Sequence, residues 1–156
     1  MIKKVSKLLI IDASVARSSG GKDAKNPDSK YCRDFLMGVL EICHKIVMTP
    51  EIRDEWNKHK SDFARQWQIN MMSKKKIHIL KDISPDHDLW NQVETVAKSD
   101  KDRGIMIKDM LLIEGAIATD QIIISLDEKA RTTFKQVAKI SNIPVSYTHL
   151  TLPTKA

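Results

Sequence analysis

Leu8-Leu9-Ile10-Ile11-Asp12-Ala13-Ser14 is the stretch that decides the fold. Four consecutive apolar residues without alternation describe a strand buried on both faces, and such a strand belongs to a parallel sheet with helices on either side. The carboxylate that ends the run then stands at the carboxyl edge of the sheet, where open α/β folds bind their ligands. Moving outward, Ile46-Val47-Met48, Ile77-His78-Ile79-Leu80 and Ile122-Ile123-Ile124-Ser125 read as further short strands. Between the first two, Tyr31, Cys32, Phe35, Leu36, Val39, Leu40, Ile42 and Cys43 recur with helical period. Thr49-Pro50-Glu51 opens another helix, with Thr as N-cap, Pro in the first turn and an acid beside it. Its stripe of Ile52, Trp56, Phe63 and Trp67 predicts one helix running to about Met72.

Ser84-Pro85 starts a helix with Leu89, Val93 and Val96 on one face, and a charged turn over Ser99 to Gly104 follows. Met106 to Ala118 and Asp127 to Ile140 read as the remaining helices. Strands alternating with helices predict an α/β three-layer sandwich: a central, mostly parallel sheet of four to five short strands flanked by helices.

The 156 residues fit one domain. Hydrophobic residues at 42% exclude a disordered chain. No apolar run approaches the roughly 20 residues of a membrane span, and Leu8 to Ile11 is too short for a signal-peptide core. A cytoplasmic protein without a membrane partner is expected. Cys32 and Cys43, eleven apart in one expected helix, predict two reduced, half-buried thiols. The net charge of +6 favours a polyanion. After Pro144 the composition shifts abruptly to Thr, Leu and Pro. Residues 145–156 show no helical period and no expected partner strand, and they resemble read-through of a sequencing adapter.

The chemistry lies in the acids. Asp12 and Asp127 follow strands and should emerge at one sheet edge; Asp109 sits in the helix before the fourth strand, and Glu51 or Glu55 in the helix after the second. Two carboxylates about 5 Å apart repel by roughly 3 kcal/mol at an effective dielectric of about 20. Mg²⁺ or Mn²⁺ would relieve that cost through hard oxygen ligands, and no Cys/His spacing competes for zinc. Each acid also has a plain structural role: Asp127 as a helix N-cap, Glu51 as a partner of the helix dipole, Asp109 as a solvated residue.

Taken in order, Ile10-Ile11-Asp12-Ala13-Ser14-Val15, Thr49-Pro50-Glu51-Ile52-Arg53-Asp54-Glu55-Trp56, and Asp109-Met110-Leu111-Leu112-Ile113-Glu114-Gly115-Ala116 followed by Ile123-Ile124-Ser125-Leu126-Asp127 resemble the acidic segments of PIN-domain nucleases, a family of toxin-like ribonucleases. The resemblance spans Leu8 to about Ile143. It implies a PIN-like nuclease domain over residues 1–144 and a ribonuclease using Mg²⁺ or Mn²⁺, while the adapter-like composition of residues 145–156 makes them a non-native tail. In that reading Asp12, Glu55 and Asp109 are metal ligands and Asp127 is a ligand or holds one in place. Ser14 and Ser125 would orient carboxylates or waters, and His59, one turn after Glu55, would contact substrate or Glu55. RNA is the implied partner, with an antitoxin-like protein or a second copy as further partners. The charged segment from Arg17 to Lys30 departs from the shortest toxins of the family.

Lys74-Lys75-Lys76 and the pair Lys58 and Lys60 read either as phosphate contacts or as solvated faces, and Trp56 and Trp67 could stack on bases, although their shared stripe with Phe63 favours the core. Haloacid-dehalogenase chemistry needs a second acid where Ser14 stands. A response-regulator receiver needs paired early acids and a late Lys where Asp127 stands. The rival from another class is a catalytically silent PIN-like module that binds RNA or protein.

Overall fold

Both faces of the first strand are covered, as its unbroken apolar run requires. The computed structural model describes residues 6–20, 27–81, 87–88, 90–91, 110–120, 122–126, 135 and 146–149. Its strands are β1 (Leu8–Ile11), β2 (Lys45–Met48), β3 (Ile77–Ile79), β4 (Ile122–Ser125) and β5 (Ser146–His149). They form one sheet in the order β3-β2-β1-β4-β5, and every neighbouring pair is parallel. The helices with defined bounds are α1 (Ala13–Ser18), α2 (Pro27–Glu41), α3 (Pro50–His59) and α4 (Asp62–Ser73), and residues 110–117 are also helical. The expected α/β three-layer sandwich is the observed architecture.

The core is continuous from strand to helix. Ile10, Ile46, Val47 and Ile123 are buried, with Leu36, Trp56, Met71 and Met110 packed from the helices. The helix over 110–117 approaches β1 closely: a Cβ at Gly115 would stand 3.1 Å from Ile10 Cδ1. At the other end of β1, Asp120 Oδ2 accepts the Leu8 N–H at 2.6 Å.

The two tryptophans belong to the core. Trp56 and Trp67 stack with centroids 5.8 Å apart. Each indole N–H is consumed by a backbone carbonyl, Ile11 for Trp56 at 2.9 Å and Leu36 for Trp67 at 2.6 Å. Neither ring is open to a base. Cys32 is buried and Cys43 exposed, which corrects the expectation of two half-buried thiols in one helix, because α2 ends at Glu41.

Three other expectations are corrected. The helix expected from Thr49 to Met72 is two helices, because Ser61 caps a new start. Its Oγ accepts the Ala64 N–H at 3.1 Å, and its own N–H donates to Ala16. The short helix α1 directly after Asp12 was not expected. The segment after Pro144 does have a partner strand: β5 pairs with β4 from Ile122↔Ser146 to Ser125↔His149. The apolar run of β4 has a second ladder edge beyond its pairing with β1, and Tyr147 and Thr148 have the β propensity to fill it.

The helix expected from Ser84-Pro85 is described only at 87–88 and 90–91, which are helical. The turn over 99–104 and all of the last expected helix except residue 135 lie outside the described residues. Among the described residues no helix is long and apolar enough to cross a membrane.

Lys76 is a structural residue, which corrects its assignment to substrate. It is buried, and its ammonium donates to the carbonyls of Val39, Leu40 and Ile42 at the end of α2. These are the orphan acceptors of a helix C-terminus. Burial lowers the Lys76 pKa and Lys74 adds to this, with Cys43 acting in the opposite direction. Lys76→Met should therefore cost about 2–3 kcal/mol in urea melts, the scale of buried acceptors left unpaired. Exposed Lys74→Ala should stay within about 0.5 kcal/mol.

Candidate functional site

From β1 the sheet grows in one direction through β2 and β3, and in the other through β4 and β5. The strand order therefore reverses between β1 and β4, which is where open parallel sheets leave a crevice beyond their carboxyl ends. Asp12 stands at that crevice, its N–H donating to the Ile124 carbonyl at 2.9 Å. It occupies the N-cap position of α1 but makes no side-chain capping bond. Its carboxylate is engaged elsewhere.

Asp12 Oδ2 accepts from Ser14 Oγ at 2.9 Å and from Ser125 Oγ at 2.8 Å. The two hydroxyls lie 3.3 Å apart. Each carries a single proton, so when both donate to Asp12 the contact between them carries none. Ser14 Oγ in turn accepts the Leu126 N–H at 3.1 Å. Reciprocal motifs, Asp-x-Ser after β1 and Ser at the end of β4, thus lock one carboxylate oxygen from two strands. Asp12 Oδ1 accepts no bond from any described residue and is half-exposed with its residue. A hard oxygen, oriented through its neighbour and left without a donor, suits a divalent cation.

Glu55 lies on α3, whose position relative to β1 is fixed by the bond from Trp56 Nε1 to Ile11. The Glu55 side chain is 31% exposed, with Lys58 Nζ and His59 Nε2 each 3.7 Å from its carboxylate. The His59 contact is an ion pair only when the imidazole is protonated. Lys58 is bound up with Glu55, while Lys74 and Lys75 are exposed beyond the end of α4.

The structure thus joins Asp12, Ser14 and Ser125 directly, and groups Glu55, Lys58 and His59 on one helix. Asp109 and Asp127 lie outside the described residues. Among the described residues no three His, Cys, Asp or Glu side chains form a metal-holding group. Trp56 is the positioning residue that the sequence reading missed. A tryptophan directly after the candidate acid, on the core-facing stripe, was the available signal. No family model matches the chain, and no curated protein matches it.

Ser125 is fully buried, and its donation to Asp12 is a bond to a charged acceptor. Ser125→Ala should lose about 1.5–3 kcal/mol in urea melts, the range for such bonds.

Proposed function

We propose that this protein is a metal-dependent ribonuclease that hydrolyses RNA phosphodiester bonds with Mg²⁺ or Mn²⁺. The observation that carries the reading is Asp12, at the topological switch point, with Oδ2 fixed by two serines and Oδ1 unclaimed by the described residues. Asp12 and Glu55 would hold the ion, with Asp109 and Asp127 completing the acidic set. When bound, the ion lowers the pKa of a water and stabilises charge developing on the phosphate. Ser14 and Ser125 keep the Asp12 carboxylate from rotating, so its free oxygen is already oriented before a ligand arrives. Lys58 puts positive charge beside Glu55, and His59 adds a hydrogen-bonding ring there, where a polyanionic strand would approach. The formal charge of +6 supports such a partner.

Cleavage of a mixed RNA pool tests the proposal. Wild type should cut with Mg²⁺ or Mn²⁺ and stop in EDTA, and Asp12→Asn should be inactive. Cutting that persists in EDTA would overturn it. Glu55→Gln should abolish cleavage. Glu51→Gln, in the first turn of α3, should only weaken the helix start, by about 0.3–1 kcal/mol. The reverse pattern in single-turnover assays would reassign the acid.

Metal binding has its own readout. At a hundredfold excess over Kd, Mn²⁺ should stabilise the wild type by about 2.7 kcal/mol. That corresponds to roughly 5–10 °C in Tm for a chain of this size. Asp12→Asn should shift less, and an equal shift would remove Asp12 from the metal site.

A further inference from the structure

A cavity of about 880 Å³ lies along β3, from Lys75 before it to Lys81 after it, and beside the carboxyl end of β2, walled by α3 and α4. That volume falls within the roughly 300–1,000 Å³ of small-ligand sites. Met48, Ile77 and Ile79 give it an apolar side, and Arg53, Lys75 and Lys81 stand around it. Asp54 is the single acid among the described lining residues.

Gln68 is the telling residue. It lines the cavity and is only 8% exposed. Lys60 Nζ donates to Gln68 Oε1 at 3.1 Å and to Asn57 Oδ1 at 2.9 Å. An ammonium has no acceptor capacity, so the atom facing it must be oxygen, and this fixes the orientation of both amides. The Gln68 NH₂ is then left as a buried donor without a partner among the described residues. Buried donors are almost always satisfied, so this one calls for an acceptor in the cavity that Gln68 lines. Positive charge is also crowded at this corner: the Lys60 pKa is lowered first by burial, then by Arg65 and Arg53.

The cavity is separate from the acid site. Arg53 and Asn57 share a face of α3 at a spacing of four residues, while Glu55, two residues from each, lies on the opposite side of a cylinder about 10–12 Å across. Yet the cavity reaches the carboxyl ends of β2 and β3 at Met48 and Lys81, on the side of the sheet where Asp12 stands, with β2 and β3 about 5 and 10 Å from β1. A strand of nucleic acid could cross the start of α3 and reach both.

We propose that this cavity is a nucleotide subsite: Gln68 donates to a base carbonyl against the apolar wall, and Arg53, Lys75 and Lys81 hold the adjoining phosphates of a single-stranded RNA. The inference rests on RNA being the ligand, as proposed above, but not on its being cut. Asn57, with its carbonyl also held by Lys60, offers a second amide donor at the rim.

The test is fluorescence anisotropy of a labelled short oligouridylate, measured in EDTA so that cleavage plays no part. Gln68→Glu keeps an acceptor for Lys60 while removing the donor, and should weaken binding at least tenfold with its melting temperature retained. Lys81→Glu, on an exposed residue that needs no refolding of the core, should weaken it similarly. Lys30→Glu on α2 makes the same charge change elsewhere and should have less than a threefold effect. Uridine monophosphate should compete, and an oligoadenylate, which has no base carbonyl, should bind more weakly.

Unchanged affinity in Gln68→Glu, equal losses in Lys81→Glu and Lys30→Glu, or binding of the free nucleotide alone would overturn the proposal. Binding as expected without any RNA cleavage in metal would sink only the nuclease reading. Cleavage with unaltered binding by Gln68→Glu would sink only this one.

Discussion

The hydrogen bond from the Trp56 indole to the Ile11 carbonyl is the contact on which the rest of the structure depends. It joins the last residue of β1 to the middle of α3, and the same ring stacks on Trp67, whose own N–H donates to the Leu36 carbonyl on α2. One unbroken series of aromatic and hydrogen-bonded groups therefore runs from the central strand through α3 and α4 to α2. Both buried N–H groups would be costly if unpaired. This makes the relative placement of the four elements an all-or-none matter. Asp12 and Glu55 each stand one residue from an end of the first bond, so their mutual geometry inherits its rigidity.

The sheet was legible because its central strands are buried on both sides. Leu8-Leu9-Ile10-Ile11 and Ile122-Ile123-Ile124 have nothing to alternate with, and a parallel arrangement follows from that alone. The break in the long helix was harder to see. Phe63 and Trp67 continue the apolar stripe of Ile52 and Trp56 across it, and helical period is blind to a change of axis. Ser61-Asp62, a cap followed by an acid, was the local signal, and tertiary bonds to Ser19 and Ala16 made it decisive. The strand at Ser146–His149 was missed for a different reason: pairing depends on the free edge of another strand, which composition cannot reveal.

The same contrast holds within the site. Asp12, Ser14 and Ser125 could be read as a set because two of them sit beside strand ends and the third is two residues along. Lys76 could not be separated from Lys74 and Lys75 by type or neighbourhood. What distinguishes it is the end of α2, more than thirty residues away in sequence, whose carbonyls lie within reach of its ammonium. Gln68 was equally silent, since an amide on a helix reads as solvated until a half-buried lysine claims its oxygen.

The position of β3 at the margin of the sheet has a consequence for solubility. A terminal strand is a template for unwanted pairing between molecules, and Ile79 is half exposed on it. The strand is only three residues long, with Lys74 and Lys75 before it and Lys81 soon after. Two copies brought edge to edge would force these charges together before a ladder could form. The basic residues around β3 thus disfavour edge-to-edge pairing at this strand.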